Sequence, residues 1–198
     1  MDSTSRKNPL NPPTSEIRAE LLTLIRELAY EEGDFTLASG KKSDYYIDLR
    51  LVTMHQRGSL LTAVLFFDAI KGTLTDHENV GITGMTMGAD PIITATALVA
   101  ELEGVTLHPF YTRKEAKGHG TGRALEGYVE PVEAAIVVED VSTTGGSALK
   151  TVEFVQEAGI EPLSVIVLLD RMEGARENVE AVGLPFEPIF TIEDIRRK

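Results

Sequence analysis

The chain has 198 residues, enough for one sizeable core and short for two full domains. An apolar share of 42% and a charged share of 25% are those of a soluble globular protein; the lack of cysteine removes disulfides and thiolate metal sites, and no apolar run reaches membrane-spanning length. The net charge of −12, from 19 Lys and Arg against 31 Asp and Glu, argues against a protein that grips nucleic-acid backbone, which needs a basic face.

Residues 1–13 are rich in Pro, Asn and Ser, lack the apolar segment of a signal peptide, and read as a flexible tail before one domain over 14–198. Thr14 or Ser15 caps a first helix whose apolar positions Ile17, Leu21, Leu24, Ile25 and Leu28 recur at helical spacing, with Gly33 as its stop. Two short strands at 35–39 and 45–49 follow, joined by a turn at 40–43. Helical spacing returns at 58–70, and a strand at 80–83 leads through 84–91 into a helix that runs to Glu101. A strand at 105–111 opens onto 112–131, a stretch with four glycines and no sustained periodicity that reads as a mobile loop. Strands at 134–141, 162–169 and 186–190 then alternate with helices at 144–158 and 174–182. Such alternation predicts an α/β fold with a mostly parallel sheet covered on both faces, and ligands in these sheets gather at the strands' carboxyl ends. The early strand pair, within about 33–50, falls outside the alternation and is expected to form a small hood over that edge.

The most informative stretch is Ile136-Val137-Val138-Glu139-Asp140-Val141-Ser142-Thr143-Thr144-Gly145-Gly146-Ser147. A β-branched apolar run, two acids at its end, a hydroxyl- and glycine-rich turn and a helix start make a ready anion site, because backbone N–H groups and the helix dipole point outward there. Gly145 and Gly146 let the backbone approach a phosphate closely, and Ser and Thr add hydroxyl donors. Glu139 and Asp140 would repel that phosphate, but they suit the vicinal hydroxyls of a ribose whose 5′-phosphate sits in the turn. A ribose 5-phosphate site is the reading that follows. Strand–turn–helix units with acids and glycines also occur where nothing binds, and the spacing matches neither Gly-x-Gly-x-x-Gly nor a turn ending in Gly-Lys-Ser/Thr.

The second feature is Arg113-Lys114-Glu115-Ala116-Lys117-Gly118-His119-Gly120-Thr121-Gly122-Arg123, where cations and a histidine lie among glycines with no apolar anchor. Basic glycine-rich loops are often only solvated connections. This one is long for a compact α/β domain and leaves a strand whose carboxyl end belongs beside the phosphate turn, which favours a functional lid. Its charges suit neutralisation of a diphosphate leaving group.

These stretches together resemble one family. Two acids, an apolar residue, small hydroxyl residues and glycine resemble the phosphoribosyl-pyrophosphate (PRPP) signature of type I phosphoribosyltransferases. The run Tyr111-x-Arg113-Lys114-Glu115-x-Lys117-x-His119-Gly120 resembles the catalytic loop of orotate phosphoribosyltransferases. Phe35 to Tyr46 resembles their N-terminal orotate segment, and Leu168-Leu169-Asp170-Arg171-Met172-Glu173 the late strand whose arginine meets the orotate carboxylate. The matches run from about residue 33 to 174, and the wording of 84–91 with 139–145 is most similar to the actinobacterial branch.

The resemblance implies the type I phosphoribosyltransferase fold and a cytoplasmic transferase. It implies transfer of ribose 5-phosphate from PRPP to N1 of orotate, giving orotidine 5′-monophosphate and pyrophosphate in de novo pyrimidine (UMP) biosynthesis. Mg²⁺ is expected, held mainly by PRPP near Glu139 and Asp140, and so is a homodimer with shared active sites, with no nucleic-acid or membrane partner. Catalytic roles fall to Lys117, first choice for the catalytic cation, with His119, Arg113 and Asp140; His119 is either an acid or an exposed loop histidine. PRPP contacts fall to Arg113, Lys114, Lys117 and His119 at the pyrophosphate and to Glu139 and Asp140 at the ribose. They continue along Val141, Ser142, Thr143, Thr144, Gly145, Gly146 and Ser147 about the 5′-phosphate. Orotate contacts fall to the Thr143 hydroxyl, to Arg171 as a bidentate fork, and to Tyr45 and Tyr46, which either stack on the base or pack the hood. The alternative for Arg171 is an ion pair with Asp170 or Glu173.

The chain departs from the family pattern in three places. Many members carry Lys where Ala38 stands and Tyr-Lys where Met87-Gly88 stands, so backbone groups of 84–90 are left to serve the pyrophosphate. The first acid, often Asp, is Glu139. A transferase for a purine or another base would keep the same turn and differ at the orotate segment and Arg171. A PRPP-sensing regulator would need a basic surface or an added DNA-binding module, which the acidic balance opposes.

Overall fold

The structure, a computed structural model, describes residues 14–36, 40, 42–75, 77–114 and 124–197. Helix α1 (Thr14–Leu28) buries Ile17, Leu21 and Ile25 of the apolar stripe read from the sequence, while Leu24 is partly buried and Leu28 is exposed. It ends before Gly33, because the chain turns directly into β1 (Tyr30–Thr36), which pairs antiparallel with β2 (Lys42–Ile47) as a sheet of its own. Gly33 instead sits at a break of register between Glu32 and Phe35, where an added Cβ would lie 3.1 Å from the Phe35 ring. The strand pair thus starts earlier than expected on both sides of its turn.

A single helical turn, α2 (Arg50–Thr53), precedes α3 (Gln56–Ile70), which His55 caps by accepting a hydrogen bond from the Gly58 N–H. The remaining elements are β3 (Val80–Thr83), α4 (Asp90–Leu102), β4 (His108–Thr112), β5 (Leu125–Gly127), β6 (Ala134–Ser142), α5 (Gly146–Glu157), β7 (Glu161–Asp170), α6 (Ala175–Glu180), β8 (Phe186–Thr191) and α7 (Ile192–Arg196). Six of the strands form one sheet in the order β5-β4-β3-β6-β7-β8, parallel throughout except for β5. Strands β6 and β7 are apolar along most of their length because helices cover both faces. Ile82, Ile136 and Leu168 face the cluster built on Phe66 and Ile93, while Val137, Val165 and Val167 face Val152, Val179 and Phe186.

Four short elements have no counterpart in the expected pattern, one of them a 3-10 turn at Thr73–Thr75. β5 lies inside the stretch expected to be loop, held by pairing of Leu125 with Thr112 and of Gly127 with Phe110. Three residues carry no period, so only the partner strand makes them a strand. α2 and α7 are one turn each, too short for periodicity, although Thr191 and Asp194 form a reciprocal capping box that marks the start of α7. β4 begins at His108 rather than 105, since Val105 still bonds back to the Ala100 carbonyl at the end of α4. Among the described residues no helix is long and apolar enough to cross a membrane.

Candidate active site

β3 and β6 are neighbours, yet the chain leaves β3 toward β4 on one side and β6 toward β7 on the other. Their carboxyl ends therefore border the crevice where a parallel sheet binds its ligands. Backbone approach there is close. A Cβ on Gly84 would lie 2.2 Å from the Val138 carbonyl oxygen, and one on Gly88 would lie 2.3 Å from Asp140 Oδ1. Glycine at both positions is what lets residues 84–89 lie against the end of β6. The same loop is tied to β4, the Thr112 N–H donating to the Gly84 carbonyl at 3.0 Å and the Thr86 N–H to the Thr112 carbonyl at 2.9 Å. Met87 is exposed.

Beyond β6 the chain makes the turn read as an anion site. Gly145 takes a left-handed conformation (φ 76°) as N-cap of α5, and Thr144, Gly146 and Ser147 are exposed while Gly145 is buried. Helix α6 braces the turn from behind: Asn178 Nδ2 donates to the Thr144 carbonyl at 2.9 Å, and Val179 lies beside Gly145. No side chain among the described residues caps the start of this twelve-residue helix, whose first residues Gly146 and Ser147 are exposed, so its first N–H groups are left for an anion.

The two acids sit just before this turn. Asp140 Oδ1 accepts from the Val141 N–H at 2.9 Å, and burial pushes the Asp140 carboxyl up, partly offset by that bond and by the Arg50 charge. Glu139 Oε2 is enclosed and has no hydrogen-bond partner among the described residues, and the same holds for Ser142 Oγ. Burial pushes the Glu139 carboxyl up to about 7; the hydroxyls of Ser142 and Ser147 lie near enough to temper the shift without satisfying Oε2. An acceptor so placed suits an incoming hydroxyl donor. Among the described residues no group of three or more His, Asp or Glu side chains could by itself hold a metal ion.

A pH effect follows. A carboxyl with its pKa raised on folding keeps its proton in the folded chain while the unfolded chain loses it. The associated stability is present below the unfolded value of 4.5 and is lost as pH rises through about 7. Glu139→Gln should therefore unfold at a higher temperature than the parent at about pH 8 and at a similar one at about pH 5. Parallel melting curves across that range would contradict the assignment.

At the end of β7, Arg171 lies against the β1–β2 sheet. Its Nε donates to Glu173 at 3.1 Å, its guanidinium carbon lies 4.6 Å from the centre of the Tyr45 ring, and its side chain is 9% exposed. Of the two alternative partners, Glu173 is therefore the one engaged, while Asp170 accepts from the Met172 N–H at 2.8 Å. Tyr45 is buried in the hood sheet, whereas Tyr46 is exposed, its ring 5.7 Å from that of Phe35. Asp34, Phe35, Lys42, Ser43, Tyr45 and Arg171 border an open cleft of about 740 Å³.

Of the basic loop, Arg113 and Lys114 are described, while Lys117 and His119 lie outside the described residues. Lys114 is exposed. Arg113 forks onto Glu126 of β5, with Nε 2.6 Å from Oε1 and a terminal nitrogen 2.9 Å from Oε2, and its N–H donates to the Ala124 carbonyl. The loop's two ends are thus fastened together. Sequence reading missed Glu126, as well as Arg50, which forks onto Asp48 with both nitrogens at 2.8 Å and whose charge reaches Asp140. The i,i+2 spacing of Asp48 and Arg50 was visible in the chain; the nearness of Arg50 to Asp140 was not.

No family model matches the chain. Relatives do. The chain is 42% identical over 191 residues to an orotate phosphoribosyltransferase from Nostoc sp., covering 96% of this chain and 90% of that one. It is 43% identical over 185 residues to one from Corynebacterium glutamicum, covering 93% and 97%. Among solved structures, the orotate phosphoribosyltransferase of Mycobacterium tuberculosis superimposes with a TM-score of 0.77 at 37% identity, over 91% of this chain and 99% of the other. A complex of the M. tuberculosis protein with PRPP gives 0.73 at 36% identity, over 90% and 98%. With this identity over nearly the whole length of each partner, and the type I phosphoribosyltransferase fold in common, the chain belongs to the orotate phosphoribosyltransferase family.

Proposed function

We propose that this carboxyl-edge crevice is where the chain transfers ribose 5-phosphate from PRPP to N1 of orotate, releasing pyrophosphate and forming orotidine 5′-monophosphate, a step of pyrimidine biosynthesis. It is an enzyme of the glycosyltransferase type. One observation carries the reading most directly: an acid pair with an enclosed oxygen that has no partner among the described residues stands immediately before a glycine turn, exposed at Thr144, Gly146 and Ser147, that opens a helix. The acids match ribose hydroxyls and the turn matches a monoester phosphate, in the order that a ribose 5-phosphate presents them.

In this reading Glu139 and Asp140 accept from the ribose hydroxyls. The run from Val141 to Ser147 wraps the 5′-phosphate through N–H and hydroxyl donors, with the Thr143 hydroxyl turned toward the base. Arg171 takes the orotate carboxylate in a bidentate fork, and of the aromatic pair Tyr45 is the one that borders the cleft beside it. As the bond to the anomeric carbon loosens, charge builds on the departing diphosphate. Arg113, Lys114, Lys117 and His119 neutralise it, with Lys117 as the principal cation and closure of the loop excluding water. The carboxylates of Glu139 and Asp140 fit Mg²⁺ bound chiefly through PRPP oxygens, since no group of three such ligands occurs among the described residues and Mg²⁺ keeps several non-protein ligands. When bound, the ion would supply positive charge to the diphosphate.

The assay that tests the reading follows loss of orotate absorbance with PRPP and Mg²⁺, then repeats it with adenine, guanine and uracil. Turnover of orotate alone supports it; turnover of only a purine would overturn the base assignment and leave the PRPP site standing.

The homodimer with crossing loops belongs to the same proposal, as does a cytoplasmic location. Leu98 and Leu102, four residues apart on α4, Leu51 on α2 and Met54 just after it are exposed apolar side chains suited to a subunit contact. We expect chains carrying Lys117→Ala, mixed and refolded with chains carrying Asp140→Asn, to regain activity that neither has alone. No recovery would count against loops that cross between subunits.

A further inference from the structure

Two guanidinium groups converge on one aromatic ring under the hood. Arg171 from β7 lies 4.6 Å and Arg196 from α7 lies 4.7 Å from the centre of the Tyr45 ring, which is itself 6% exposed. The Tyr30 ring packs against Tyr45 as well, with centres 5.8 Å apart. Like charges gather this way only where each has its own anion and the ring face attracts both. Here Arg171 donates to Glu173 at 3.1 Å and Arg196 to Asp44 at 2.6 Å. Arg196 also reaches the Tyr30 hydroxyl, and burial pushes the Tyr45 phenol up, so the ring stays neutral.

Helix α7 is fastened independently of this contact. Thr191 and Asp194 cap its start, Ile192 and Ile195 are buried, and the Arg26 guanidinium from α1 donates to the carbonyls of Asp194 at 2.6 Å and Ile195 at 2.9 Å, and to that of Arg197. Arg196 is therefore delivered to Tyr45 on a fixed support. On the Arg171 side, Nε is taken by Glu173, so the edge formed by the two terminal nitrogens is the one a carboxylate would meet in a fork. The plane of that edge depends on what the guanidinium lies against, and it lies against Tyr45.

We propose that α7 is a positioning element of the base site: Arg196, acting through the Tyr45 ring, fixes the plane and reach of the Arg171 guanidinium that receives the orotate carboxylate. This rests on the reading of Arg171 given above. Arg196 touches no substrate, and its effect belongs to base binding rather than to PRPP binding.

The test measures KM for orotate and for PRPP, kcat and unfolding temperature for Arg196→Ala, Arg196→Lys, Tyr45→Leu and the double variant Arg196→Ala/Tyr45→Leu. Arg196→Ala should raise KM for orotate roughly three- to tenfold and leave KM for PRPP nearly unchanged. Arg196→Lys should recover part of the loss, since an ammonium keeps the charge beside the ring and the Asp44 pair but not the planar guanidinium. In the Tyr45→Leu background, removal of Arg196 should add little. Equal shifts in both KM values, an unchanged KM for orotate, or the full Arg196→Ala cost persisting without the ring would each overturn the proposal. If Arg196→Ala does not yield folded protein, Arg196→Lys decides it, a smaller rise confined to orotate supporting the proposal and no rise refuting it. Arg171→Gln measured alongside separates the two levels. If it leaves KM for orotate unmoved, the base-site reading itself fails; if it raises that KM while the Arg196 variants do not, only the role of α7 fails.

Discussion

Arg171→Gln is expected to lower kcat/KM for orotate roughly a hundred- to a thousandfold and to leave KM for PRPP close to the parent value. Arg171 is almost wholly enclosed, with 9% of its side chain exposed, so a carboxylate that pairs with it does so away from solvent screening. Removing one partner of such a pair costs about 2–5 kcal/mol, much of it from leaving the other charge desolvated and unmatched. Glutamine keeps a donor of similar reach but has neither the charge nor the fork. Arg171→Lys should fall between the two, since it restores the charge without the planar geometry. Stability should suffer less than activity, because Glu173, the acid left behind, is partly solvated at 24% exposure. A loss shared equally between orotate and PRPP would mean that Arg171 braces the whole crevice instead of receiving the base.

Gly145→Val should have the other large effect, on the opposite substrate: roughly a hundredfold or greater loss of kcat/KM for PRPP, set by the loss of two or more charge-assisted hydrogen bonds to phosphate. The residue holds φ at 76°, a conformation that costs an ordinary side chain about 1–2 kcal/mol and a β-branched one more. Its added Cβ would lie 3.3 Å from Val179 Cγ2, so the turn cannot keep its place against α6. Backbone N–H groups that converge on one point would then splay. Gly159→Val is the control: Gly159 has nearly the same φ, 78°, with nothing within 4 Å of its Cβ position, and it lies at the far end of α5. That variant should lose stability and keep its KM for PRPP. Similar kinetic losses in both would show that the damage at Gly145 is general unfolding.

The difference between these two glycines illustrates what can be read along the chain. The turn after β6 was legible because its signals are local: a β-branched run, two acids, hydroxyl residues and paired glycines occur within twelve positions. Arg171 was legible by resemblance and by its place at the end of an apolar strand. Whether Tyr45 stacks on a base or packs the hood stayed open in the sequence; in the fold its ring is buried beside Arg171 and Arg196, a placement no stretch of the sequence announced. Adjacent residues of a strand face opposite ways, so once β2 packs one side, Tyr45 is enclosed and Tyr46 is left outside. Gly88 looked like a missing lysine; in the folded chain it is the space into which the Asp140 carboxylate fits.

Order and type of the long elements, the parallel sheet and the local pattern of an acid pair before a glycine turn were all set out by the sequence, because helix and strand periodicity and turn signals act over a few neighbouring residues. What only the tertiary structure decided are the contacts between distant segments. These include β5 existing by virtue of β4, Glu126 forking onto Arg113, and α7 carrying Arg196 to the ring of Tyr45, 151 positions earlier by the numbering of the chain. Such pairs leave no local pattern, since their energy comes from burial and charge that exist only after the chain has closed on itself.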